Sequence, residues 1–272
     1  MLSNKKKRLI IEDKLKNDSE LKLYGCDVGT AVKFEDGEKP LILDVGCGMS
    51  YATGRRINGK DTDFRYIDPL ANYYNGILGK KHLSFPKIDF GMIEYLSSFV
   101  GKNSASLIII NNELDHSFDP VKGMFESLKA LKIGGVLYLL HRKNEAEHEN
   151  YRGFHQFNID CKDGQLVIWN KESNTNISEI ISEYVSINVK EYNNLVMAVI
   201  TKKCDLDIEK FYKTEEDQNR LCTQIMYLIS KLLTARVTVS FGLKFFFLKI
   251  FHWIASKFSS DFKEKVKKML HC

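Results

Sequence analysis

The sequence predicts an α/β protein on a doubly wound, mostly parallel sheet of seven strands, with an inserted β-hairpin and a helical C-terminal extension. Three observations predict it. Short unbroken apolar runs, "LILDV" at 41–45 and "SLIII" at 106–110, have the composition of strands buried on both faces. Helical patterns fall between such runs, so β-α-β units follow one another. A last pair of strands, in "VSINVKEYNNLVMAVITKK" (185–203), is joined by Asn193-Asn194 and reads as an antiparallel edge.

The elements follow in order. Residues 1–24 read as a polar helix with a thin apolar stripe of Leu9, Ile10, Leu15 and Leu21. "EDGEKP" (35–40) is a turn leading into "LILDV". "FRYID" (64–68) is the second strand, a third ends near Asp89, and "SLIII" is the fourth. Residues 120–132 form an amphipathic helix: Pro120 suits its first turn, and Val121, Met124, Phe125, Leu128 and Leu131 share one face. "KIGG" stops that helix, and "VLYLLH" (136–141) is the fifth strand. Residues 154–170 alternate about Asp163-Gly164 as a hairpin, and "NISEIISEY" is helical. The expected division is an N-terminal helical segment (1–34), a ligand-binding domain (35–204) and a C-terminal helical extension (205–272).

Composition narrows the class. With 272 residues, 44% apolar and 28% charged, the chain suits a soluble globular protein with a sizeable core. A net charge of only +5 gives no concentrated basic face, so no nucleic-acid partner is expected. The six cysteines form no CxxC pair, and no Cys/His set has zinc spacing, so neither a disulfide framework nor a metal site is expected. The N-terminus carries lysines with no apolar segment after them, which predicts a cytoplasmic chain. In the C-terminal stretch "FGLKFFFLKIFHWIASKF" (241–258), Lys244, Lys249 and Lys257 interrupt the apolar run, leaving it too short to cross a bilayer. Aromatic bulk flanked by lysine suits a membrane surface, so residues 236–272 are expected to touch the inner membrane face; the same face also suits the domain itself or a second copy in a homodimer.

The glycine turn after the first strand, "LDVGCG", must bring backbone close to something, either a ligand or a neighbouring piece of chain. A triphosphate loop would end in Gly-Lys-Ser/Thr, and none follows Gly46. A dinucleotide turn would carry a third glycine where Tyr51 stands. S-adenosylmethionine (SAM), which has no phosphate, remains. Asp44 sits before the turn, near where its ammonium would lie. Asp68 ends the second strand about 20 residues after Gly48, the spacing at which an α/β nucleotide site places its ribose carboxylate.

"LDVGCG", "IDPL", "LDHSFDP" and "LKIGGVLYLL" together resemble the class I SAM-dependent methyltransferases, with a Rossmann-like fold, over roughly residues 40–203. The resemblance implies that Asp44, Gly46, Cys47 and Gly48 line the cofactor, and that Asp68, followed by Pro69, takes the ribose hydroxyls. It implies that "GMIEYL" lies beside the adenine through Met92 and Ile93. Met92 stands where many members carry an acid, so adenine would rely on backbone and apolar contact. "NNELDHSFDP", beginning at Asn111 on the cofactor side, resembles the loop next to the transferred methyl. More narrowly, "IDPLANYYN", "LDHSFDP", "NEAE" and "GFHQFNID" are similar to methyltransferases associated with bacterial surface-polysaccharide synthesis.

Methyl transfer from a sulfonium needs alignment above all, and a hydroxyl acceptor gains from a base. Asp115 and His116 follow the fourth strand and are the best-placed acid/histidine pair, though His116 suits a structural bond within its loop equally well. His155 lies in the inserted hairpin, with Gln156 beside it. Asn112, Glu113, His141, Asn144, Glu145 and His148 are polar groups at strand ends that could bind an acceptor. Tyr73 and Tyr74 read as core. The sequence thus points to methylation of a small polar or glycan-linked acceptor, with a sugar hydroxyl favoured. N-methylation of a small phosphorylated amine and an inactive SAM-binding scaffold are the alternatives.

Overall fold

The computed structural model describes residues 19–207 and 211, apart from 36, 49–53 and 81–85. Most of the helix expected over 1–24 lies outside these residues. Its described end is not helical: Glu20 bridges to Arg56 and Leu23 to Cys26. The helical extension expected from residue 205, including the stretch 236–272, lies outside the described residues except for 205–207 and 211, none of which is helical.

A short helix α1 (Val28–Ala31) begins at Asp27, whose carboxylate accepts from the Thr30 N–H at 3.3 Å. The central strand β1 (Leu41–Val45) follows. A two-residue hairpin, β2 (Arg56–Ile57) and β3 (Lys60–Asp61), leads into β4 (Asp63–Asp68), which pairs parallel to β1. Next come α2 (Ala71–Lys80), β5 (Ile88–Phe90), a 3-10 turn over Ile93–Tyr95, α3 (Leu96–Val100) and β6 (Ala105–Asn111). β6 pairs parallel to the other side of β1. Helix α4 (Pro120–Ala130) crosses to β7 (Leu131–Arg142), and α5 (Glu145–His148) follows it. β8 (Asn158–Lys162), β9 (Gln165–Trp169) and β10 (Asn174–Asn176) make a separate three-stranded antiparallel sheet. After α6 (Ile177–Ile180), β11 (Val185–Tyr192) and β12 (Leu195–Lys202) close the main sheet, with β12 antiparallel to β7. The seven-stranded order is β11-β12-β7-β6-β1-β4-β5. From β1 the chain runs outward to β4 and β5, then returns to β6 on the opposite side. The gap beyond the carboxyl ends of β1 and β6 is therefore the switch point where doubly wound sheets hold ligands.

The apolar runs behave as their composition dictates. Leu43, Val45, Ile108, Ile110, Leu137 and Leu139 cluster with Met124, Phe125 and Leu128 of α4. The alternating residues Ile42, Leu107, Ile109, Val136 and Tyr138 face the other way, onto Leu21, Val28 and Val32. Both faces are covered, so both sets must be apolar. Among the described residues, no helix is long and apolar enough to cross a membrane.

Four expectations change. Helix α4 stops at Ala130 rather than 132, because Leu131 turns extended and pairs with Ala105 to start β7. The helix in "NISEIISEY" shortens to four residues, capped by Asn176 accepting the Glu179 N–H at 3.2 Å. The inserted hairpin begins at Asn158 rather than 154 and gains a third strand, so His155 and Gln156 sit in the loop before it. Tyr73 is 67% exposed and is not core.

One side chain ties two of the ligand-facing segments together. Glu94, in the 3-10 turn after β5, is buried, and its Oε1 accepts the N–H of Phe118 at 2.6 Å and of Asp119 at 3.3 Å. Burial pushes its carboxyl above the ordinary carboxylate range despite these bonds. Glu94→Ala leaves two amides without an acceptor and should lower unfolding free energy by about 1–3 kcal/mol. Denaturant titration checks it; an unchanged midpoint would show that the tie is dispensable.

Candidate active site

The turn after β1 is built from two left-handed glycines, Gly46 at φ 70 and Gly48 at φ 54. The Gly46 N–H donates to the Ile67 carbonyl at 2.8 Å, stitching the turn to β4. A Cβ on Gly46 would lie 2.6 Å from the Glu113 Cβ, so the loop after β6 abuts this turn directly. A Cβ on Gly48 would meet nothing within 4 Å, which leaves open space beside it among the described residues. The Gly48 N–H donates to Asp68 Oδ2 at 2.9 Å, and the Leu70 N–H donates to Asp68 Oδ1 at 2.7 Å. Asp68 is thereby fixed at the end of β4 by one bond to each oxygen, and a carboxylate has further lone pairs to offer a ligand.

The other expected cofactor residues lie at strand ends and in the segments that follow them. Asp44 is buried at the end of β1. Cys47 is buried too; burial first, then the nearby Asp44 and Asp68 carboxylates, push its thiol up. Pro69 is exposed, Met92 and Ile93 are half-buried, and Asn111 is exposed at the end of β6. Gly91 keeps the segment before Met92 against the sheet, since a Cβ there would lie 2.6 Å from Ile67 Cγ2.

Beyond Glu113 lies a second polar group centred on Asp115, which is fully buried. Its Oδ1 accepts from His141 Nε2 at 2.8 Å, and its Oδ2 accepts from His155 Nδ1 at 2.7 Å. His116 bridges outward: Nδ1 meets Glu113 Oε2 at 2.9 Å, and Nε2 lies 3.1 Å from His155 Nδ1. Burial works against the Asp115 charge, but the bonds from His141 and His155 and the nearness of His116 outweigh it, holding the carboxyl below its ordinary range. The bond to Glu113 raises His116 above the ordinary imidazole range; burial opposes this, and the Asp115 and Glu145 carboxylates assist it.

The expected acceptor residues divide. His141 is fully buried and spends both ring nitrogens inside the protein, the second on the Arg142 carbonyl at 2.8 Å, so it positions Asp115 and touches no acceptor. Asn112, at φ 56, is a turn residue whose Oδ1 accepts the Arg142 N–H at 2.9 Å. Gln156 holds its own loop, donating to the Tyr151 and Gly153 carbonyls. His148 is exposed at the end of α5. Glu113, His116 and His155 do converge, and Glu145 and Asn144 stand close by. Glu145 Oε1 accepts from Arg142 at 2.9 Å, while its Oε2 and the Asn144 Oδ1 are buried without a hydrogen-bond partner among the described residues.

No protein-family model matches the chain, and no curated protein matches it. Solved structures are similar to part of the chain. The CurJ carbon methyltransferase aligns over 63% of this chain and 50% of its own length, at 14% identity and a TM-score of 0.43. A SAM-dependent methyltransferase from Aquifex aeolicus aligns over 62% of this chain and 85% of its own, at 15% identity and a TM-score of 0.38. One from Methanosarcina mazei aligns over 67% and 99%, at 18% identity and a TM-score of 0.39. The chain thus spans half the length of the first of these. At such identities and TM-scores the chemistry rests on this chain's own residues.

Two clusters therefore share a wall. The glycine turn with Asp68 lies on one side of Glu113, and the histidines held by Asp115 lie on the other. The two glycines should respond differently to substitution. Both carry a left-handed cost of about 1–2 kcal/mol for a side chain, but Gly46→Ala also drives a Cβ into Glu113. Gly46→Ala should lower the unfolding midpoint more than Gly48→Ala; equal losses would contradict the contact.

Proposed function

We propose that the chain is a SAM-dependent methyltransferase that methylates an oxygen of a small polar or glycan-linked acceptor. The observation that carries this reading is the shared wall: a glycine turn locked to a strand-end aspartate abuts, through Glu113, an acid/histidine cluster open to solvent on its imidazole side. The residues present fit the cofactor. Among the described residues nothing would meet a Cβ on Gly48, Asp68 keeps lone pairs for ribose hydroxyls, and Met92 offers a half-buried apolar side chain for adenine.

When bound, SAM supplies a methyl whose carbon bonds to the acceptor oxygen while the carbon–sulfur pair stays with sulfur. The chain's own residues align the partners and handle the acceptor proton. Asp115 and Glu113 fix the two imidazoles, and the cluster withdraws the hydroxyl proton as the new bond forms. Glu145 Oε2 and Asn144 Oδ1 are buried acceptors that suit the hydroxyl donors of a polyol. A sugar hydroxyl in surface-polysaccharide synthesis is the acceptor proposed, from the motif likeness. The aromatic and lysine pattern of residues 236–272 would bring the enzyme to the membrane surface where lipid-linked glycans are built. The free Glu145 oxygen also suits an amine, so a small phosphorylated amine is the second reading; the position of the added methyl in the product separates the two.

Calorimetry with SAM tests the reading, with turnover followed on activated sugars and phosphorylated amines by the mass of one added methyl. Asp68→Ala should weaken SAM binding at least about tenfold, the effect of one lost charge-assisted bond pair. His155→Ala should keep SAM binding and cut turnover by about a hundredfold. Failure of the chain to bind SAM, or full turnover by the His155 variant on its best acceptor, would overturn it.

A further inference from the structure

We propose that Asp115, His116 and His155 hold a divalent first-row metal ion of the zinc type, through Asp115 Oδ2, His116 Nε2 and His155 Nδ1. These ligand atoms already lie together. Oδ2 is 2.7 Å from His155 Nδ1, the two imidazole nitrogens are 3.1 Å apart, and His116 Nε2 is 3.7 Å from Oδ2. An ion bonded to nitrogen and oxygen at about 2.1 Å holds its ligand atoms roughly 3.0–3.4 Å apart, and this triangle brackets that spacing.

Hydrogen bonding alone joins the triangle only by sharing one His155 proton between two acceptors. His155 Nδ1 offers either one proton or one lone pair, yet it faces a carboxylate oxygen and a second imidazole nitrogen together. A cation at the centre satisfies all three lone pairs. The surroundings also have the form that ligating residues need. His116 turns its other nitrogen to Glu113 Oε2 at 2.9 Å, which fixes Nε2 as the free ligand atom. Asp115 turns its other oxygen to His141 at 2.8 Å, and His141 is in turn held by the Arg142 carbonyl. An outer layer of carboxylate, imidazole and backbone oxygen is the arrangement that orients metal ligands.

Burial sets where the ion would be open. The Asp115 side chain is 0% exposed, whereas His116 and His155 are 33% and 27% exposed, so free coordination positions face the solvent side. Glu145 stands close enough for its charge to act on His116, and its unpartnered Oε2 suits a hydrogen bond from a metal-bound water. Two imidazoles and one carboxylate favour zinc or a neighbouring transition ion over magnesium or calcium, which prefer oxygen ligands. Two residues of the set come from the loop after β6 and the third from the loop before β8, so no local Cys/His spacing in the sequence announces the site.

Metal binding itself does not depend on the methyl-transfer reading; what the ion would do there rests on it. An acceptor with two adjacent oxygens could chelate the open positions. With the ion bound, His116 Nε2 and His155 Nδ1 would serve as ligands rather than as bases, so the coordinated hydroxyl would pass its proton to water, and its oxygen would form the bond to the methyl carbon while the carbon–sulfur bond breaks.

The test uses the full chain, stripped with chelator and dialysed, then titrated with Zn2+ by calorimetry and with Co2+ by visible absorption. One ion per chain and ligand-field bands for Co2+ are expected, with Mg2+ at equal concentration failing to displace it. Glu113→Gln, which changes only the outer layer, should weaken Zn2+ binding by about 10–100-fold, and His155→Ala should abolish the Co2+ bands while circular dichroism shows a folded chain. Zn2+ and Co2+ responses that are equal in the parent, Glu113→Gln and His155→Ala chains would overturn the site. SAM binding is measured on the same stripped protein. Zinc bound without SAM affinity upholds the metal site and sinks methyl transfer; SAM bound without zinc affinity does the reverse.

Discussion

A carboxylate with no exposure cannot stand alone. Removing an ion from water costs several kcal/mol unless partners replace the lost hydration. Asp115 meets that demand with imidazoles from three places: His116 on its own loop, His141 at the end of β7, and His155 before β8. The demand fixes the side of the site where the proposed acceptor would lie. It draws the loop before the three-stranded sheet back onto the main sheet, and it places His116 where Glu113 can hold it. Glu113 in turn lies against Gly46, so the position of the buried charge is transmitted to the glycine turn. Glu94 adds a second link, from the segment after β5 to the end of the same loop.

Three buried acids thus stand at, or just beyond, the carboxyl ends of strands. Asp68 is tied to the backbone of the glycine turn, Asp115 to imidazoles, and Glu94 to amides. The strands supply the rigid base and the acids set the spacing between loops. Such an arrangement is suited to a reaction in which alignment matters more than bond-making by the protein.

The strands were legible in the sequence because burial on both faces demands unbroken apolar runs, and β1, β6 and β7 have them. The glycine turn and Asp68 were legible from spacing. Ends of elements were not: Leu131 has the apolar character that both helix and strand want, and its pairing with Ala105 decides the matter. His155 alternates with Phe154 and Phe157 like a strand residue, yet its bond to Asp115, 40 positions away, holds the segment as a loop. His141 looked like an acceptor ligand because it ends a strand, and only its full burial assigns it to Asp115. Glu94 gave no signal at all, since its partners are backbone amides of a distant loop.

Glu113 stands between the glycine turn and the acid/histidine cluster, and the proposed function puts the methyl donor on the glycine side. A crystal structure of the chain with the demethylated product, S-adenosylhomocysteine, tests that most directly. The expected result is ribose hydroxyls on the Asp68 carboxylate, adenine along Met92, and the sulfur turned toward Glu113 and His116. A ligand that lies away from Gly48 and Asp68, or whose sulfur points away from the Asp115 cluster, would contradict it.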